Sequence, residues 1–204
     1  MFSDTVITIA RQYGSGGHEI GEKLAQQLGV KFYDRELLTL AAQKSGLNQA
    51  LIENYDEMPV GSLLYTLSLT SYLSANNGIV QIPVQHQVFL AQFDAIREAT
   101  SRESCVIVGR CANYVLKNRP HCVHVFVHAG MPKRVARIME RMHLSEKEAI
   151  TLVEKTDKKR AAFHNFYADT KWGNLEGYNL ALDTSYITTD DAAEVIRNYA
   201  DLMK

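Results

Sequence analysis

The chain reads as a three-layer α/β domain, with a mostly parallel five-stranded sheet and helices on both faces. Three observations lead there. Short β-branched apolar runs alternate with stretches of helical periodicity along most of the 204 residues, the pattern of strands joined by crossover helices. A glycine-rich turn, Gly14-Ser15-Gly16-Gly17, joins the first such run to the first helical stretch. Polar residues then gather directly after the apolar runs, at the sheet edge where such folds bind ligands. Hydrophobic residues make up 46% and charged residues 22% of the chain, as in ordinary globular domains, so 1–204 is taken as one domain.

In order, residues 6–10 (V-I-T-I-A) form a buried strand. Ile20, Leu24 and Leu28 recur at four-residue intervals as a helix stripe, and Gly29 stands where a C-cap belongs. Residues 30–33 are a second strand, and Asp34 is read as the cap of a helix carrying Leu37, Leu38, Ala41 and Ala42. Residues 45–82 are rich in Leu, Ser, Tyr and Asn and contain Pro59, Gly61 and Asn76-Asn77-Gly78. They read as helices and loops outside the sheet. Pro83 opens a helix with an apolar face of Val88, Phe89, Phe93 and Ile96. Residues 105–108 (C-V-I-V) are a strand ending at Gly109-Arg110, with a short helix over 112–117 after it. Val123, Val125 and Val127 line one face of the next strand, and His124, Phe126 and His128 the other. Pro132 opens a helix to about Met142, and Ser145 with Glu148 forms a capping box for another. Residues 178–182 are the last strand. Thr189 or Asp190 then caps a helix striped by Val195, Ile196, Tyr199, Leu202 and Met203.

Cys105, Cys111 and Cys122 show no C-x-x-C spacing and are read as small buried apolar residues. They and the histidines at 121, 124 and 128 lack metal-ligand grouping, so no protein-bound metal is expected. No apolar run reaches bilayer length, and no basic-then-apolar leader opens the chain; a cytoplasmic location is expected. A net charge of −1 gives no argument for nucleic acid or membrane partners. The charge is uneven, however: residues 131–160 hold nine Lys/Arg against five Asp/Glu. Such a segment on an acidic body suits a small anionic ligand, the alternative being a solvated helix face.

A glycine turn between strand and helix can converge its N–H groups on one anion, and the helix adds its positive dipole end. Ser15 adds a hydroxyl. The alternative is a tight turn that needs glycine only for shape.

The segment I-T-I-A-R-Q-Y-G-S-G-G-H-E-I-G-E-K-L-A-Q-Q-L-G-V-K-F-Y-D-R-E resembles the start of the cytidylate-kinase-like family, a branch of the P-loop nucleoside monophosphate kinases. The segments C-V-I-V-G-R-C-A-N-Y-V-L, V-H-V-F-V-H-A, D-K-K-R and L-A-L-D-T-S carry the resemblance along nearly the whole chain. It implies a P-loop-kinase-like core with a helical lid, residues 45–82 forming an acceptor-side insert and 131–172 the basic lid. The implied activity is phosphoryl transfer from ATP to CMP or dCMP, with Mg²⁺ carried on the nucleotide phosphates and a small-molecule nucleotide as partner. By resemblance Gly14, Ser15, Gly16, Gly17 and His18 hold phosphate. Asp34, Arg35 and Arg110 hold the acceptor, the alternative being that Arg110 pairs with Asp34 or Glu36; at least one of Arg134, Arg137 and Arg160 clamps the phosphates, the alternative being pairing with Glu140, Glu154 and Asp157.

The sequence departs from true cytidylate kinases at three points. The pattern G-x-x-x-x-G-K-[ST] is absent, with Gly17 at the lysine position and His18-Glu19 at the hydroxyl position; Val108 replaces an acid before Gly-Arg. Arg11 is expected to supply the missing cation, because it leaves the first strand just before the turn. Lys23 lies nearly two helical turns away. Alternatively, Arg11 pairs with an acid such as Glu19 and only braces the loop. The function classes left open are a kinase for another small acceptor and a nucleotide- or phosphate-binding protein without kinase activity.

Overall fold

A computed structural model describes residues 5–58 and 83–203. Most of the expected acceptor-side insert, including Pro59, Gly61 and Asn76-Asn77-Gly78, lies outside the described residues. The sheet has five strands, β1 (Val6–Arg11), β2 (Lys31–Tyr33), β3 (Cys105–Val108), β4 (Cys122–His128) and β5 (Leu180–Asp183), in the order β2-β3-β1-β4-β5. Every pairing is parallel. Parallel neighbours require crossovers, and these are supplied by α1 (Gly17–Leu28), α2 (Glu36–Ser45), α3 (Gln49–Tyr55), α4 (Val84–Arg102), α5 (Ala112–Val115), α6 (Met131–Met142) and α7 (Glu146–Tyr167); α8 (Thr189–Leu202) follows β5.

The period-two alternation of the strands divides the core into two layers. Ile7 and Ile9 of β1, Val106 and Val108 of β3, and the three valines of β4 face α1 and α8. Val6, Cys105 and Ile107 face α2 to α5. Central β1 is therefore covered on both sides, which is why its sequence is almost continuously apolar. A smaller cluster joins α6 to α7 through Val135, Ile138, Ala149 and Val153, with Tyr13 against it. All three cysteines are buried thiols. Burial pushes Cys105 and Cys122 up to about 12, so they behave as the apolar residues expected.

Three local expectations are corrected. Arg35, not Asp34, stands at the start of α2, with helical dihedrals and no side-chain cap; Asp34 is drawn away by charged partners described below. Thr188 caps α8 and forms a capping box with Asp191, so the helix begins one residue earlier than a Thr189 cap, and two earlier than an Asp190 cap, would have it. The last strand starts at Leu180, because Leu175–Gly177 forms a 3₁₀ turn that ends at Tyr178. The capping box of Ser145 and Glu148 is as the sequence indicated, and α6 starts at Met131 with Pro132 in its first turn.

Candidate active site

The C-terminal ends of β1 and β2 open onto a cleft of about 670 Å³, with Arg110 after β3 bonded to Asp34 at its edge. Its lining includes the glycine turn and five arginines: Arg11, Arg35, Arg137, Arg141 and Arg160.

The turn is held by its carbonyls. Arg137 Nη1 donates to Ser15 O at 2.9 Å and Gly14 O at 3.4 Å, and the buried Thr184 hydroxyl donates to Ser15 O at 2.7 Å. Ser15 is itself buried, and both its N–H (3.3 Å) and its hydroxyl (2.8 Å) are spent on Gln12 O. Its hydroxyl closes the turn instead of facing the cleft as expected. The N–H groups of Gly14, Gly16, Gly17 and His18, by contrast, have no partner among the described residues. Those of Gly16 to His18 surround the start of α1, whose first-turn amides cannot bond within the helix. Gly14 needs its glycine: its φ is +79, and a Cβ would stand 2.7 Å from the Arg134 carbonyl oxygen.

Gly17 is glycine for a different reason. A Cβ there would lie 2.6 Å from Arg11 Cβ and 3.0 Å from Arg11 Cγ. The stem of Arg11 thus fills the space a side chain at position 17 would need. The backbone position of residue 11, whose Cβ is the nearest atom, therefore leaves no room for a lysine at 17.

The arginines divide by what they touch. Arg134 is buried and donates to Ala129 O at 3.0 Å, to Tyr13 O at 3.3 Å and to Asp157. It braces the chain entering the turn and is not part of the cleft lining. Arg137 also spends its guanidinium on carbonyls, reaching Thr184 O at 3.3 Å, although it borders the cleft. Arg141 and Arg160 each place their guanidinium carbon 5.5 Å from the centre of the Tyr13 ring. Arg11 pairs at 2.8 Å with Glu57. Glu19, the acid offered by sequence, instead takes Lys23 at 3.0 Å and the Thr189 hydroxyl at 2.6 Å.

The β3 side is a charge network. Arg110, 4% exposed, bonds Asp34 and places Nη2 2.8 Å from Asp56. Burial would weaken its charge, but Asp56, Glu57 and Asp34 raise its pKa above the ordinary value. Burial likewise pushes Asp34 up, and hydrogen bonds from His18 and Arg110 overrule it and hold the carboxyl well below the usual range. His18 Nδ1 lies 2.9 Å from Asp34 Oδ2, and that bond raises the imidazole pKa. Arg35 is exposed beside these groups at the cleft edge.

Asp56 and Glu57 escaped sequence reading. The signal was a D-E pair at the end of a helical stretch, in a region whose composition suggested only helices and loops. Tyr167 and Trp172, which flank the loop after α7, are packed on protein rings: Tyr167 stacks on Phe89 at 3.6 Å and Trp172 meets Phe126 at 5.4 Å.

Among the described residues no group of three or more His, Cys, Asp or Glu is arranged to hold a metal. The turn offers no magnesium ligand of its own, with Glu19 turned to Lys23 and Val108 buried in the apolar layer. No helix among the described residues is long and apolar enough to cross a membrane.

The model of the cytidylate kinase-like family matches residues 6–186. An uncharacterized protein from Eubacterium ventriosum is 28% identical, over 97% of this chain and 98% of its own, with a TM-score of 0.71. A shikimate kinase from Bacteroides thetaiotaomicron is 13% identical over 97% of this chain and 98% of its own, with a TM-score of 0.53. The shikimate kinase from Acinetobacter baumannii in complex with shikimate is 15% identical over 98% and 94%, with a TM-score of 0.51. No curated protein matches the chain. The fold is that of the P-loop kinases.

Proposed function

Because the chain belongs to the cytidylate kinase-like family, we propose that it transfers the terminal phosphoryl group of ATP to a small acceptor, with CMP or dCMP the first to test. One observation carries this reading. The amides of Gly14, Gly16, Gly17 and His18 are unpartnered beside a cleft bordered by five arginines. That is an oxyanion cradle with counter-charge around it.

Catalysis in this reading is positioning and charge neutralisation. The amides and the α1 dipole hold the donor phosphates. Arg11, anchored by its stem against Gly17, supplies the cation that a lysine at 17 would otherwise bring, and Arg160 approaches from α7. Asp34, Arg35 and Arg110 orient the acceptor. Arg134 and Arg137 act as positioning residues, through the backbone of the turn. Residues 131–172 form the lid, and magnesium enters only on the nucleotide phosphates. Location in the cytoplasm belongs to the same reading.

A second reading, nucleotide or phosphate binding without transfer, draws on Gly17 at the lysine position and on the acid that already occupies Arg11. The test is ADP release from ATP across CMP, dCMP, shikimate and gluconate, run beside thermal shifts with ATP alone. ADP formed with one acceptor supports the kinase. A thermal shift with ATP and no ADP from any acceptor favours the binding protein.

A further inference from the structure

Glu57 lies two residues beyond α3, in a left-handed backbone conformation (φ 51) disfavoured for any residue with a Cβ. Its side chain is 14% exposed. Oε1 accepts from Arg11 Nη1 at 2.8 Å and from the Arg110 backbone N–H at 3.3 Å, and Oε2 accepts from Arg160 Nε at 3.3 Å. The floor under the carboxylate is Gly109, where a Cβ would fall 2.5 Å from Oε1 and 2.3 Å from Arg11 Nη1. Three separate segments, the ends of β1 and β3 and the middle of α7, therefore converge their donors on one oxyanion. That oxyanion belongs to the protein.

The balance of charge gives this arrangement a consequence. Arg11, Arg110 and Arg160 face Asp34, Asp56 and Glu57, three guanidinium groups against three carboxylates, with His18 also on Asp34. Arg110 has two carboxylates of its own. Arg11 and Arg160 share Glu57, the one carboxylate in direct ion-pair contact with either among the described residues, with Asp157 and Asp34 acting from further off. Burial and the neighbouring Arg11 both press on the charge of Arg160, so this pair requires an anion between them. A further anion entering beside Glu57 would meet its repulsion, because Arg11 and Arg160 are already engaged with that carboxylate.

We propose that Glu57 is a resident stand-in for a ligand oxyanion: a carboxylate or phosphate of the bound small molecule displaces it from Arg11 and Arg160 and takes its place over Gly109. The proposal rests on the kinase reading only for the identity of the ligand. The exchange needs no turnover. The site selects for compact oxyanions, because planar and tetrahedral anions alike can take two parallel guanidinium bonds. Release of Glu57 also relaxes its left-handed backbone, which favours the exchange.

The test is calorimetric binding of inorganic phosphate, ATP, CMP and gluconate, each alone, to the wild type and to Glu57→Gln. The variant keeps the shape and removes the competing charge. At least about 10-fold tighter binding of one or more of these probes is expected, the scale of one charge-assisted contact. The probe that gains identifies the source: ATP the donor, CMP an acceptor phosphate, gluconate an acceptor carboxylate. Adding Arg160→Gln should abolish the gain. A folded Glu57→Gln protein that binds every probe no better than the wild type overturns the proposal. Should the variant not fold, amide exchange on the wild type decides. The Asp56 and Met58 amides bond Glu53 O and Tyr55 O, and must exchange faster in saturating inorganic phosphate. Unchanged or slower exchange there overturns the exchange of anions. A protein that passes these tests yet forms no ADP fails only the kinase reading; an active kinase whose variant gains nothing fails only this one.

Discussion

On the β1 side of the cleft, the glycine turn is held from behind through its carbonyls, by Arg137 and Thr184, while its amides face outward unpartnered. On the β3 side, Arg110, Asp34, Asp56 and Glu57 are held by one another, and little of their hydrogen-bonding capacity is left over. The first region keeps backbone donors unspent in a fixed arrangement. The second is a set of opposite charges that already satisfy one another.

Breaking the charge-held side should have the larger effect on stability. Arg110→Met leaves Asp34 and Asp56 without their buried partner and should cost roughly 3–5 kcal/mol, the range for removing one member of a buried pair. Urea unfolding measures it, and a loss under about 1 kcal/mol would mean that water already screens these groups.

On the backbone-held side, Gly14→Ala combines a positive φ with a Cβ 2.7 Å from the Arg134 carbonyl. The expected cost is about 2–4 kcal/mol, from strain and overlap together, with ATP-induced thermal shift lost because the amides no longer converge. A variant with undiminished ATP shift would show that the turn is not the cradle.

The smallest effect is a pH dependence confined to the charged side. His18 has a raised pKa when folded, so its contribution is complete below about 6.5 and disappears as pH rises through the folded value. Asp34 is depressed, so its contribution is present above the ordinary carboxylate range and is lost only as pH falls toward the folded value. Thermal melts between pH 5 and 9, a window set by the direction of these shifts, should show His18→Gln differing from the wild type most at the acid end and converging with it toward the alkaline end. Parallel curves would place His18 outside the network.

The sequence by itself determined the sheet. The β-branched runs in β1, β3 and β4, the stripes of α1 and α4 and the Ser145 capping box are short-range signals, and burial on both faces leaves little freedom in how they assemble. It also located the glycine turn and the arginines, because residue type and position along a strand are visible in one dimension. What each arginine touches was decided only by the tertiary structure. Asp157 on α7 was among the acids the sequence offered the basic segment, and the fold gives it to Arg134; Glu57, 46 residues from Arg11, has no local pattern that links the two. The same holds for Ser15: its identity suggested a phosphate donor, but packing beneath Thr184 turned its hydroxyl to Gln12. Asp34 likewise has the chemistry of a helix cap, and lost that role to Arg110 and His18. Local propensity is worth about 1 kcal/mol at a cap; a buried guanidinium facing a carboxylate competes with several times that, so where charges meet across the fold, long-range geometry decides.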